Sequence, residues 1–200
     1  LPDIAYHLNK FGRGYSRLID IVGADHKTEM ETLGSALKAL GADTGKLEVI
    51  IVQFVSVRSG SGRAAMSKRS GTVVPLAELL DEVGPDAARF FFLLRAPSSH
   101  LDFDMDLAKA ETLDNPVYYV QYAHARLSSL IDNAAGSGLS PAAGEVEIGL
   151  LAEPETRLLL RKLARYPFAV ENAAAARAPH LITHELLELA AAVHQFYTRN

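Results

Sequence analysis

Apolar residues in the first half of the chain follow two patterns, helical spacing and short continuous runs. Ile4, Leu8 and Phe11 share one helical face, and Leu47–Val57 is a run typical of a buried strand. The predicted elements are a helix over 3–14, a strand over 17–22, a helix over 27–41 and a strand over 47–57. This alternation predicts half of a doubly wound, Rossmann-like α/β fold with parallel strands.

The second half of the chain has helical spacing almost throughout, and no convincing strand pattern follows residue 105. Two short helices are predicted over 76–82 and 85–95, and three long ones over 105–134, 151–172 and 179–198. The sequence therefore predicts an α/β domain over 1–104 followed by an all-α helical bundle over 105–200, mainly helical overall.

Composition narrows the possible functions. The 200 residues include no cysteine, which excludes disulfides, thiolate metal sites and a cysteine nucleophile and agrees with a reducing cytoplasm. The apolar runs are too short to span a bilayer, so no membrane partner is expected. Because the net charge is -4, any nucleic acid would have to be bound by local basic patches. The chain opens inside a predicted helix without an initiator methionine, which suggests an internal segment of a longer protein.

A small basic loop, Ala64–Gly71 (AAMSKRSG), follows the predicted strand 47–57 after a Gly/Ser-rich lead-in. A cationic loop beside a sheet suits closure over phosphates, because its charge acts most strongly once water is expelled. A bare Met-Ser-Lys would more simply be a surface turn. The neighbouring motifs favour the interpretation that this loop closes over the phosphates of a ligand.

Five segments carry a family resemblance, in this order: DIAYHLNKF at 3–11, GADH at 23–26, AMSKRSG at 65–71, DEVGPDAARFFFLLR at 81–95 and NPVYYVQYAHAR at 115–126. Together they closely resemble bacterial arginyl-tRNA synthetase, a class I enzyme. The resemblance implies the second half of the catalytic domain with its connecting segment, then most of the DALR-type anticodon-binding domain. It also implies a cytoplasmic, monomeric arginine–tRNA ligase that uses Mg-ATP, L-arginine and tRNA(Arg).

The chain departs from the family pattern at several points. The class I loop KMSKS has alanine at 65 and arginine at 69, and Lys27-Thr28-Glu29 follows GADH where the family has His-Gly-Tyr. The HIGH motif, which binds ATP in the family, is not in this sequence. We therefore expect the 200-residue segment alone to form no arginyl-adenylate.

The resemblance assigns roles in the catalytic domain. Lys68 is the expected catalytic lysine on the ATP phosphates, and Met66, Ser67 and Arg69 complete the ATP-binding loop. Asp3 is expected to face the guanidinium of the substrate, since an arginine fork needs a carboxylate pair of acceptors. The alternative for Asp3 is an ordinary acid at a helix N-terminus.

Four further residues are candidates for the arginine and adenosine pocket. Asp25 and His26 follow a predicted strand, at the edge where doubly wound sheets bind ligands. His7 and Gln53 are candidates on the same grounds. Asp25 has the alternative role of a helix N-cap.

Candidates for tRNA contact lie in the helical domain. Tyr118 and Tyr122 could stack on unpaired bases or be half-buried core tyrosines. Arg157, Arg161 and Arg165, spaced by four, form a stripe that either follows RNA phosphates or is a solvated face paired at one end with Glu153.

No metal site is predicted. The run Asp102–Asp106 imitates a calcium loop but has leucine where the turn glycine and the bidentate glutamate belong. His180 and His184 have no evident third ligand.

Two other functions remain open. A non-catalytic tRNA-binding or regulatory paralogue would share the architecture, although it need not keep Asp3, His26 and Lys68 together. The related cysteine enzyme of class I is the other, and NPVYYVQYAHAR favours the arginine enzyme.

Overall fold

A computed structural model describes residues 2–60, 62–64, 74–139 and 148–199 of the chain. The basic loop residues 65–71 lie outside this description. Contacts divide the chain into a first unit, Leu1–Ser56 with Pro97–Asp102, and a second unit, Val57–Ala96 with Phe103–Asn200. The predicted domain boundary between residues 104 and 105 stays a prediction.

The first unit is an α/β arrangement in which two helices accompany two parallel strands. Its elements are α1 (Pro2–Phe11), β1 (Leu18–Gly23), α2 (Lys27–Ala39) and β2 (Leu47–Val52). The register of β1 on β2 runs from Leu18 opposite Leu47 to Gly23 opposite Val52. A turn with a left-handed glycine, Gly41 at φ 83°, lies between α2 and β2. The order helix, strand, helix, strand confirms the sequence-based prediction.

The apolar run Leu47–Val57 is not one strand, so that prediction is wrong in its extent. After β2 ends at Val52, the backbone N–H of Gln53 donates to the Pro97 carbonyl at 2.7 Å. A separate strand, β3 (Val55–Ser59), then pairs antiparallel with β4 (Gly62–Ala64). The run is broken because Gln53 pairs outside the β1–β2 ladder, which apolarity alone does not reveal.

A fifth strand, β5 (Leu101–Asp104), is absent from the sequence-based prediction and lies beside β3 in the order β4-β3-β5. Leu101 and Phe103 are buried and alternate with half-buried acids. Four residues with only two apolar positions are too short a pattern to reveal a strand.

The second unit consists largely of helices, as predicted. They are α3 (Leu76–Val83), α4 (Pro85–Phe92), α5 (Met105–Lys109), α6 (Pro116–Gly136), α7 (Pro154–Ala176) and α8 (His180–Arg199). Ala123 on α6 packs with Ala190 and Val193 on α8, and Leu159 on α7 lies against them. No described helix is long and apolar enough to cross a membrane.

The predicted helix 105–134 is interrupted, because Asn115 and Pro116 start a new helix. Asn115 is buried, and its Oδ1 accepts from the backbone N–H groups of Val117 and Tyr118. Its Nδ2 donates to the carbonyls of Ala108 and Ala110. An Asn N-cap followed by proline at the first helical position is a strong start signal, and it separates α5 from α6.

Candidate functional site

A cavity of about 450 Å³ in the first unit is lined by residues from α1, β1 and α2. Three of its lining residues are acids, Asp3, Asp20 and Glu29, and two are histidines, His7 and His26. Ile19, Val22 and Leu33 contribute apolar lining. The cavity thus combines apolar side chains with three carboxylates, which suits a ligand that has both a cationic group and an aliphatic chain.

Three of the five sequence-predicted pocket residues line this cavity. Asp3 lies in the first turn of α1, His7 one turn later, and His26 in the 3-10 turn Ala24–His26 that leads into α2. Asp25 and Gln53 are not among the lining residues. The side-chain oxygen of Gln53 instead accepts from the backbone N–H of Phe54 at 3.2 Å.

His7 is held from both sides. Its Nε2 lies 2.6 Å from Asp20 Oδ2 and its Nδ1 lies 2.7 Å from the backbone oxygen of Asp3. Lys10 donates to the other carboxylate oxygen of Asp20 at 2.7 Å. The two side chains of the His7–Asp20 pair are only 8% and 10% exposed, so Asp20 binds two groups of α1 away from bulk water.

The charge of Asp20 is stabilised by these partners. Burial on its own would raise the pKa of Asp20, but hydrogen bonds and charge attraction from Lys10 and His7 outweigh burial and leave the pKa below its ordinary value. Asp20 is therefore an ionised carboxylate at neutral pH.

Asp25 is exposed and does not cap a helix, so its alternative role as an N-cap is wrong. The residue that precedes α2 is His26, and no side-chain cap hydrogen bond forms there. His26 Nδ1 lies 2.6 Å from Glu29 Oε2, and its Nε2 lies 3.9 Å from Asp25 Oδ1. A Cβ at Gly23 would come within 2.6 Å of Asp25 Oδ1, so a larger residue there would displace the exposed Asp25 side chain.

Sequence reasoning did not identify Asp20, Lys10 and Glu29. The signal for Asp20 was a single carboxylate inside the apolar run RLIDIV, where strand alternation puts it on the same face as Leu18 and Val22. Lys10 lies one helical turn after His7, on the same side of α1. The ATP-binding loop candidates Met66, Ser67, Lys68 and Arg69 lie outside the described residues.

The tyrosine candidates in the second unit are half-buried and stack on one another. The ring centroids of Tyr118 and Tyr122 are 5.9 Å apart and nearly parallel, and His194 from α8 stacks on Tyr122 at 5.6 Å. The Arg126 guanidinium lies 5.0 Å from the Tyr122 centroid and 4.1 Å from that of Tyr197. These contacts favour the interpretation of Tyr122 as a packing residue between α6 and α8.

The arginine candidates on α7 are exposed, and within the described residues they form no ion pair. Arg157 and Arg161 also line a groove of about 720 Å³ with Leu160. Neighbouring Lys162 is instead paired with Glu188 of α8, and this hydrogen bond lowers the pKa of Glu188. Among the described residues, no ion pair joins Glu153 to Arg157, whose backbone N–H donates to the Glu153 backbone oxygen at 3.0 Å, and this weakens the solvated-pair interpretation.

The polar cluster of Ser56, His100 and Asp102 does not have the geometry of a catalytic triad. Ser56 donates to Asp102, but His100 turns the same ring nitrogen, Nε2, toward both residues. A catalytic triad needs the acid on the opposite ring nitrogen from the nucleophile. No group of three possible metal ligands occurs among the residues the structure describes.

Known proteins resemble this chain closely. A model of the DALR anticodon binding domain matches residues 120–200. Arginine–tRNA ligases of Thioalkalivibrio sulfidiphilus and Citrifermentans bemidjiense are each 49% identical to it, over 98% and 99% of this chain. The chain spans about a third of their length, 34% and 36%.

Among solved structures, one from Campylobacter jejuni named as an arginyl-tRNA synthetase matches with a TM-score of 0.81 and 33% identity. The match covers 99% of this chain and 43% of that one.

Proposed function

We propose that the protein is an arginine–tRNA ligase, because the chain matches bacterial arginine–tRNA ligases over about a third of their length. The single observation that carries the proposal is the 49% identity over nearly the whole chain. The carboxylate-lined cavity of the first unit supports it chemically, because a guanidinium is a cation that carboxylates bind through paired hydrogen bonds.

The proposed reaction has two steps. The carboxylate of arginine attacks the α-phosphate of ATP, supplied as Mg-ATP, and gives arginyl-adenylate and pyrophosphate. A ribose hydroxyl at the end of tRNA(Arg) then takes the arginyl group and releases AMP. Neither step requires a covalent intermediate with the enzyme, so the protein contributes positioning and electrostatic stabilisation.

Residue roles follow from the cavity and from the family resemblance. Asp3 binds the guanidinium, and His26 lines the same cavity. Lys68 contacts the ATP phosphates, and Met66, Ser67 and Arg69 shape its loop. Asp25 and Gln53, which are not among the residues that line the cavity, stay candidates for the arginine and adenosine pocket through the family resemblance. The protein acts in the cytoplasm as a monomer.

Binding of tRNA is proposed for the helical part of the chain. The matched anticodon-binding domain model supports residues 120–200 as part of that surface. The exposed Arg157, Arg161 and Arg165 supply positive charge for phosphates. The groove lined by Arg157 and Arg161 also offers apolar Leu160 for a base or sugar. Tyr118 stays a candidate for stacking.

The test is arginine-dependent exchange of pyrophosphate into ATP by the full-length protein in the presence of tRNA. Exchange with arginine and none with cysteine is the expected result. Asp3→Asn, which keeps the size of the side chain, should raise the KM for arginine and leave the KM for ATP unchanged. A protein that binds tRNA without any exchange would instead be the non-catalytic paralogue.

A further inference from the structure

Asp20 occupies a position where packing alone calls for an apolar side chain. It lies on β1 between Leu18 and Val22 on one face of the strand, and its side chain is 10% exposed. Burying a carboxylate costs free energy that an apolar residue would not cost, even when the charge is paired. The contacts that Asp20 makes therefore indicate a role beyond stability.

The contacts of Asp20 link β1 to the first turn of α1 through the ring of His7. Asp20 binds Nε2 of His7, and Nδ1 of the same ring binds the backbone oxygen of Asp3. Both partners of the ring are acceptors, so the ring is oriented from both sides. The first turn of α1, which carries Asp3, is thereby fixed relative to β1.

Charge gives a second argument. Lys10 contacts Asp20 at 2.7 Å and lies 3.4 Å from the His7 ring. Without the Asp20 carboxylate, the Lys10 ammonium would keep the Tyr6 ring, 4.8 Å away, but would have no carboxylate partner among the described residues, near a cavity proposed to hold a guanidinium. At low exposure such like-charge repulsion is poorly screened.

This inference rests on the proposed function. We infer that Asp20 is a positioning residue for arginine recognition: through His7 it sets the place of the Asp3 carboxylate, and it offsets the charge of Lys10. Asp20 itself does not need to touch the substrate. Its loss should weaken arginine binding selectively, because the ATP phosphates are proposed to meet a different part of the protein.

The test compares Asp20→Asn with wild type in the full-length protein, by pyrophosphate exchange with tRNA present. The KM for arginine should rise by about tenfold or more, since small misplacements of a binding group are costly. The KM for ATP should stay within about twofold. Asp43→Asn is the matched control, because Asp43 is an exposed carboxylate of the same unit with only a 3.9 Å pair to Lys46, and both constants should be unchanged.

His7→Gln extends the test and replaces it if Asp20→Asn does not fold. It should also raise the KM for arginine alone, and the double variant should raise it by less than the product of the single effects, because both changes break one chain of contacts. A folded Asp20→Asn variant with the wild-type KM for arginine overturns the inference. An equal rise of the KM values for arginine and ATP also overturns it, and so do independent effects of Asp20→Asn and His7→Gln in the double variant. With Asp20→Asn unfolded, an unchanged arginine KM in His7→Gln overturns it. A wild type without arginine-dependent exchange would overturn the proposed function instead.

Discussion

At the scale of single residues, the Asp20 cluster links stability to pH. The folded pKa of Asp20 lies below its ordinary value of 3.8, so its charge stabilises the fold above pH 3.8, and this stabilisation is lost as the pH falls toward the folded pKa. Asp20→Asn should lower the Tm at neutral pH, and the difference from wild type should shrink as the pH falls below 3.8. Thermal unfolding across pH measures it. A difference that is constant down to strong acid would contradict the ionised, paired state of Asp20.

Lys68 carries the residue-scale prediction for catalysis. Lys68→Ala in the full-length protein should slow adenylate formation by about 10²–10³-fold, because one preorganised charge on a developing pyrophosphate is lost. Arginine affinity should change little. Single-turnover activation measures the rate, and Lys46→Ala, an exposed lysine of the first unit, is the control. If Lys68→Ala activates arginine at the wild-type rate, Lys68 is only a solvated loop residue.

At the scale of elements, the sequence predicted type and order better than extent. The helix and strand alternation of the first unit was visible because α1 and β1 have clean periodicity. The break at Gln53 was not visible, since it depends on a hydrogen bond to Pro97 far along the chain. Asp3, His7 and His26 were found through motifs, whereas Asp20 matters through tertiary partners that a local pattern does not contain.

The start of α6 gives an element-scale prediction. Asn115→Ala should lower the free energy of unfolding by about 1–2 kcal/mol, because it removes the cap of α6. Asn115 also donates to two carbonyls of the α5 end, so the loss should fall at the upper end of this range. Chemical denaturation measures the change. Asn133→Ala, on the exposed part of α6, should be close to neutral. Equal effects of the two substitutions would contradict the capping role.

At the scale of the whole molecule, the proposed binding of tRNA requires a local basic surface, because the chain has a net charge of -4. Replacing Arg161 and Arg165 with glutamine should weaken tRNA binding and flatten log K against log salt by about one unit per lost phosphate contact. Affinities for arginine and ATP should not change. Lys38→Gln with Lys46→Gln removes equal charge from the first unit and is the control. An unchanged salt slope in the arginine variant would mean that the α7 stripe faces only water.

The central claim, that the protein attaches arginine to tRNA, is tested most directly by charging. The full-length protein would be incubated with ATP, tRNA and one radiolabelled amino acid at a time, and label in precipitated tRNA would be counted. The account predicts ATP-dependent transfer of arginine to tRNA(Arg) and no transfer of cysteine. Folded protein that binds tRNA but transfers no arginine, or that transfers a different amino acid, would contradict it.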